Sequence, residues 1–177
     1  MLEKAIQEVL FSEEELAKRV EEIAKEIEKD YQGKEIMLIS VLRGSFVFMA
    51  DLARQLNIPC SVEFMAVSSY GAGTESSGNI KLIKDLDETI EGRDVIIVED
   101  IIDSGRTLDK LVELLGTRKP NSIRVCTLLD KPDRRVVDVK VDYTCFDIPD
   151  EFVVGYGLDY AQKYRNLPYI GVVEFED

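Results

Sequence analysis

The sequence predicts an α/β fold, a central and mostly parallel sheet flanked by helices. Three observations predict it. Apolar runs of strand length alternate with stretches of helical period through the middle of the chain. The run Val-Ile-Ile-Val at residues 95–98 is apolar without alternation, as in a strand buried on both faces. Irregular segments at residues 42–44, 68–79 and 99–107 follow strand ends. In a parallel sheet such segments gather on one edge, where ligands bind. The 177 residues suit one domain spanning 1–177.

Each element follows from local chemistry. Ser12 opens a capping box with Glu15. Leu16, Val20, Ile23, Ala24 and Ile27 follow at helical spacing, and Gly33 is placed to end that helix. Residues 36–42 read as a buried strand. Phe46, Met49, Ala50, Ala53 and Leu56 read as the apolar face of a second helix, closed by Asn57 and Pro59. Residues 62–67 form a strand. The hydrophilic stretch 68–79, with three glycines and four serines, is too long for a plain connection and reads as a lid or a loose hairpin tip. Residues 80–84 resume an extended pattern, and Gly92-Arg93 make a turn before the 95–98 strand. Leu108, Leu111, Val112 and Leu115 mark a third helix, ended near Lys119-Pro120. Residues 123–129, 139–146, 152–155 and 169–175 read as the remaining strands.

Composition removes several functions. With 22 basic and 35 acidic residues the net charge is −13, which repels nucleic-acid backbones and anionic lipid. An anionic substrate must therefore meet a local exception, made of a few basic groups, backbone N–H groups or a metal ion. The chain contains no histidine, so acid–base work falls to carboxylates, lysines or tyrosines. Cys60, Cys126 and Cys145 are odd in number, widely spaced and set among apolar residues, which reads as buried thiols in a reducing compartment. No signal-peptide core and no membrane-length apolar run is present, and a cytoplasmic protein is expected.

The segment 95–108 carries the chemistry. Four apolar residues give way to Glu99 and Asp100, and Asp103-Ser104-Gly105-Arg106-Thr107 then leads into a helix. Gly105 allows close backbone approach, the helix start offers N–H groups, and Ser104 and Thr107 add hydroxyls, a set suited to a phosphate monoester. The two carboxylates suit sugar hydroxyls or a water-bridged Mg²⁺. Taken alone, Asp103 to Thr107 is also a plain helix start with Asp103 or Ser104 as N-cap. A dinucleotide-binding glycine loop and a nucleoside-triphosphate loop are both absent.

Residues 98–108, Val-Glu-Asp-Ile-Ile-Asp-Ser-Gly-Arg-Thr-Leu, resemble the phosphoribosyl diphosphate motif of the type I phosphoribosyltransferases, and more narrowly of those that act on 6-oxopurines. The resemblance runs from about Phe11 to Phe175. It implies a small hood formed by the terminal segments, Mg²⁺ as cofactor, and homodimers or homotetramers. Leu42-Arg43-Gly44 resembles the pyrophosphate loop, which carries a cis peptide before its basic residue. Ser68-Ser69-Tyr70-Gly71 resembles the start of a mobile lid, with Ser69 and Tyr70 as its residues. Asp130-Lys131-Pro132 resembles the segment whose lysine bonds the purine 6-oxygen. In residues 152–160, the resemblance implies that Phe152 stacks on the base, Val153 bonds it through its backbone and Asp159 faces a metal ion, alongside Glu99 and Asp100. Arg165 matches an arginine that helps hold pyrophosphate. Arg106 would belong to the phosphate loop. Ser45 and Gly157, at positions that vary among relatives, are not expected to touch the chemistry, though either could tune base preference.

The implied reaction joins a purine to phosphoribosyl diphosphate and releases pyrophosphate. Arg43, Arg165 and Mg²⁺ would neutralise the leaving group, Glu99 and Asp100 would hold ribose hydroxyls, and Asp103 would accept the purine proton. Lys131 would meet an acceptor on hypoxanthine or guanine, and adenine would leave that ammonium unpaired. The other readings are a phosphoribosyltransferase for xanthine or uracil, a phosphoribosyl diphosphate-sensing transcription regulator, and a non-catalytic sugar-phosphate module. The regulator needs a basic face that a charge of −13 opposes.

Overall fold

The computed structural model describes residues 6–70 and 79–174. The elements in chain order are β1 (Ile6–Phe11), α1 (Glu13–Asp30), β2 (Ile36–Val41), α2 (Phe46–Gln55), β3 (Cys60–Tyr70), β4 (Asn79–Lys84), β5 (Asp94–Ile102), α3 (Arg106–Gly116), β6 (Ser122–Asp130), β7 (Tyr143–Asp147), β8 (Val153–Val154) and β9 (Ile170–Val173). Six strands form the central sheet in the order β4-β3-β2-β5-β6-β7. Every neighbouring pair is parallel except β3–β4, which is antiparallel. Strands β1, β9 and β8 form a second, three-stranded antiparallel sheet, the expected hood.

Period-two alternation divides the core. Ile36, Leu38, Ile96 and Val98 pack with α1, α2 and the hood, and Met37, Ile39, Val95 and Ile97 pack with α3. Helices therefore cover both faces, as the unbroken apolar strands require. α1 is fixed at its start by the predicted box: Ser12 Oγ accepts the Glu15 N–H at 3.1 Å, and Glu15 Oε1 accepts the Ser12 N–H at 3.3 Å. Such a cap stabilises a helix by about 1 kcal/mol. Its five predicted apolar residues are all buried.

Several elements depart from expectation. α1 ends at Asp30 with Tyr31 as C-cap, and Gly33 lies in the turn beyond, at φ +73°. α2 buries Phe48, Met49 and Leu52, while Phe46 and Ala50 face outward, so the helix is rotated from the predicted face. β5 runs on to Ile102, because Glu99, Ile101 and Ile102 keep their pairing with Thr127, Leu129 and Asp130 of β6. The irregular segment after it is correspondingly short. β3 likewise continues through Ser68, Ser69 and Tyr70, paired with Lys81, Ile80 and Asn79, so these three residues are strand and not loop. The rest of the expected lid, residues 71–78, lies outside the described residues. β7 begins at Tyr143 and not at Val139. β1 was hidden in an acid-rich stretch, since only its pairing with β9 makes it a strand. Cys126 and Cys145 are buried and Cys60 is half-buried, all as free thiols.

Candidate active site

Strands β2, β3 and β5 are parallel neighbours, so their carboxyl ends meet on one edge. A cleft of about 250 Å³ opens there, lined by Val41, Val67, Glu99, Asp103, Ser104 and Thr107 among others. Alternation along β5 sends Glu99 to the face of Val95 and Ile97, and Asp100 to the face of Ile96 and Val98. Burial raises the proton affinity of both carboxylates. For Glu99 the charge of Asp100 adds to the effect. The Asp100 carboxyl is pushed up to about 6, although the Ile101 N–H bonded to it at 2.7 Å and the charge of Arg165 pull the other way.

The phosphate loop is short and tightly held. Gly105 sits at φ +84° as the N-cap of α3 and offers no side-chain cap. Neither Asp103 nor Ser104 is the cap, which removes the plain helix-start reading of Asp103. A β-carbon on Gly105 would lie 3.0 Å from both the Val137 carbonyl oxygen and Arg135 Cδ. The Ser104 carbonyl accepts the N–H groups of Val136 and Val137 at 2.9 and 3.1 Å, and Ser104 Oγ accepts the Arg106 N–H at 3.3 Å. Arg135 crosses behind the loop. Its Nε donates to the Asp103 carbonyl at 3.3 Å, and its guanidinium pairs with Asp130. Neither Arg135 nor its role was visible in the sequence, because the bracing contacts lie 32 and 5 residues away along the chain.

The turn after β2 closes on the same site. The Leu42–Arg43 peptide bond is cis, as the resemblance implied. Gly44 is buried so tightly that a β-carbon would lie 1.9 Å from Asp100 Oδ2. Gly157, at φ +100°, is packed against the other side, and a β-carbon there would lie 2.4 Å from the Gly44 carbonyl oxygen. Gly157 therefore does not lie clear of the site, because it fixes the position of the loop that Asp100 leans on. Ser45 is also structural. It is fully buried, donates to the Val41 carbonyl at 2.6 Å, and meets Ser40 Oγ at 2.7 Å.

Lys131 follows β6, the strand beside β5. Its N–H donates to the Ile102 carbonyl at 2.9 Å. Its ammonium lies 3.7 Å from Asp103 Oδ1 and 3.5 Å from Asp150 Oδ1, and its side chain is only 11% exposed. Asp150 also meets Arg134 at 3.3 Å. This corrects an expectation, since Lys131 already has two carboxylate partners and no base leaves it unpaired. Phe152 is exposed and meets Tyr160 edge-on at 5.7 Å, while Val153 is buried in the hood. A turn–bridge–turn segment then carries Asp159 and Arg165. Arg165 donates to the Gly157 carbonyl at 2.7 Å and pairs with Asp159 at 3.3 Å. Gln162, which sequence reasoning missed, accepts from both Arg43 and Arg165.

The expected metal ligands do not form a cage of protein atoms. Among the described residues no three acidic, cysteine or histidine side chains cluster as metal ligands. The donor set still fits Mg²⁺, which takes one or two carboxylates and completes its shell with water and substrate phosphate oxygens. Glu99 and Asp100 are hard oxygen donors whose crowding a cation would relieve.

Comparison with known proteins follows the same lines. The family model described as phosphoribosyl transferase domain matches residues 7–161. The hypoxanthine-guanine phosphoribosyltransferase of Streptococcus thermophilus is 52% identical over 176 residues, covering 99% of this chain and 98% of its own. The hypoxanthine phosphoribosyltransferase of Salmonella typhimurium is 55% identical over 172 residues, covering 96% and 97%. A crystal structure of a hypoxanthine-guanine phosphoribosyltransferase from Bacillus anthracis superposes with a TM-score of 0.93 at 53% identity, covering 96% of this chain and 99% of the other.

Proposed function

The chain belongs to the phosphoribosyl transferase family, and on that premise we propose that it salvages purines. It transfers the 5-phosphoribosyl group of phosphoribosyl diphosphate to hypoxanthine or guanine, giving IMP or GMP and pyrophosphate. The observation that carries this reading is the meeting of Asp103 and Lys131, 3.7 Å apart, beside the phosphate loop. An acid and an ammonium so placed suit one edge of a 6-oxopurine, where the imidazole N–H faces Asp103 and the neighbouring 6-oxygen faces Lys131.

The residues divide the work. Ser104, Gly105, Arg106, Thr107 and the start of α3 receive the 5-phosphate. Glu99 and Asp100 hold the ribose hydroxyls. Gly44 lets the turn after β2 approach the reacting centre, and Arg43 and Arg165 take the pyrophosphate. Phe152 stacks on the base, and the Val153 backbone reads its edge. As the C1–pyrophosphate bond breaks, the unprotonated imidazole nitrogen of the purine bonds to C1 and the proton on the other imidazole nitrogen passes to Asp103. Glu99 and Asp100 would hold Mg²⁺ and Asp159 would face a second ion, and the metal would supply charge neutralisation of the diphosphate. Ser69 and Tyr70 belong to a lid that excludes water.

Two further features fit the reading. Val62 and Phe64 share the outer face of β3 at 48% and 37% exposure, an apolar patch suited to a second copy of the chain. No described helix is long and apolar enough to cross a membrane, and the free thiols fit a cytoplasmic setting. The decisive experiment is a base panel, with pyrophosphate release measured for each base in the presence of phosphoribosyl diphosphate and Mg²⁺, and again in excess chelator. Turnover of hypoxanthine or guanine that stops with chelator is expected. Release with uracil alone, or full turnover in chelator, overturns the assignment.

A further inference from the structure

The hairpin that follows Asp159 is built against the preferences of its own residues. Tyr160 and Lys163 exchange both backbone hydrogen bonds, at 3.0 and 2.9 Å, leaving Ala161 and Gln162 as the two central residues of the turn. Their φ angles are +50° and +66°, the left-handed pair of a type I′ turn. Asparagine and glycine adopt that pair readily, whereas residues carrying ordinary side chains are strained there. Both residues are exposed, so core packing does not hold them in place. Strain kept in an exposed turn beside a site points to what the turn delivers.

What it delivers is one amide oxygen. Gln162 Oε1 accepts from Arg43 Nη1 and from Arg165 Nη2, each at 3.3 Å. Its own N–H is anchored on Asp159 Oδ2 at 2.9 Å. Arg43 and Arg165 come from separate loops, and among the described residues their hydrogen bonds meet at this oxygen. A carboxylate at the same point would cancel part of their charge. A neutral amide holds both guanidinium groups and adds no negative charge to that of Asp159, which already pairs with Arg165 at 3.3 Å.

We propose that Gln162 is a positioning residue for the diphosphate arm of the substrate, its amide oxygen holding Arg43 and Arg165 toward a common anion. The proposal rests on the reading of those two arginines given above. Two variants of the full chain test it. Gln162→Met keeps length and flexibility but has no amide acceptor. Gln162→Gly also lacks the acceptor, and relieves the strained backbone. Initial rates are measured with phosphoribosyl diphosphate and hypoxanthine varied separately, together with thermal melts.

In both variants KM for phosphoribosyl diphosphate should rise roughly 5- to 20-fold, as for loss of hydrogen bonds to charged groups, while KM for hypoxanthine stays within about twofold, as for loss of binding confined to one substrate. Gln162→Gly should melt at or above the wild type, because glycine accepts the left-handed angle. A KM for phosphoribosyl diphosphate within twofold of wild type in both variants overturns the proposal. So does a parallel rise in both KM values with a lower melting temperature, which marks a packing role. A wild-type chain without turnover overturns the activity itself, an outcome separate from these.

Discussion

Asp100 Oδ2 lies 1.9 Å from the point a β-carbon on Gly44 would occupy, so the turn after β2 and the acidic end of β5 are fitted to one another through a missing side chain. Gly44→Ala should therefore push the Asp100 carboxylate out of position. Overpacking of this kind costs about 1–3 kcal/mol, or roughly 2–10 °C in melting temperature for a chain of this size. Turnover should fall at least 10²-fold, because small displacements of a positioned group cost that much. Steady-state rates and melts check both. Turnover at the wild-type level would show that Asp100 has freedom to move without consequence.

Asp103→Asn separates acid–base chemistry from structure. Gly105 is the N-cap of α3, so the substitution removes no cap. The ion pair it weakens, with Lys131, joins a side chain that is 49% exposed and should contribute less than about 1 kcal/mol. Stability should hold, and kcat at saturating hypoxanthine should fall on the order of 10²- to 10⁴-fold. An unchanged kcat would mean that another group or water takes the proton.

Lys131 faces two carboxylates, which changes how it selects a base. On the proposed reading, discrimination against adenine would rest on the 6-amino group, a donor set against another donor. Hypoxanthine should be preferred over adenine by at least about 10²-fold in kcat/KM. Lys131→Met should lower kcat/KM for hypoxanthine by roughly 10- to 100-fold and leave adenine little changed. Comparable wild-type efficiency with both bases would remove Lys131 from base recognition.

The half-buried acids at the end of β5 should make the ligand-free protein sensitive to pH. Burial raises the Asp100 carboxyl from 3.8 to about 6 in the folded chain. A group raised on folding adds stability that is fully present below its unfolded value, near pH 4, and is lost as pH rises through about 6. Above that point the ionised carboxylate costs the native state up to about 2–3 kcal/mol. Asp100→Asn should thus raise the melting temperature of the ligand-free protein at pH 7.5, with the gain vanishing below about pH 4. Melts of both proteins across that range decide it, and a gain independent of pH would point away from burial of charge.

The parts of this molecule legible in sequence are those governed by local chemistry. The capping box at Ser12, the unbroken apolar strand before Glu99 and the glycine at the start of α3 each state their conformation within a few residues. The rotation of α2 was not legible, because Phe46 and Phe48 are equally apolar and only their neighbours decide which is buried. β1 was hidden for a similar reason, since its pairing with β9 spans 159 to 167 residues. At the site, motifs nominate Asp103 and Lys131 as candidates, and the fold sets the two 3.7 Å apart. Arg135, Asp150 and Gln162 belong to no motif read here, and their value lies in contacts that folding creates. The restriction on Gly157 was invisible for the same reason, as it comes from the Gly44 carbonyl across the fold.

The hood sheet joins the two ends of the chain, which sets the earliest point in synthesis at which it can form. β8, which carries Val153, pairs only with β9, and β9 also holds β1. The phosphate-binding strands and α3 are complete by residue 130, so that half can form while the rest of the chain is still being made. The wall intended for the base acquires its backbone partner only after residues 170–173 have emerged, and β1 waits exposed until then. Closing so long a loop is the slow kind of step in folding. A nascent chain thus carries every residue of the proposed phosphate loop well before Val153 has its backbone partner.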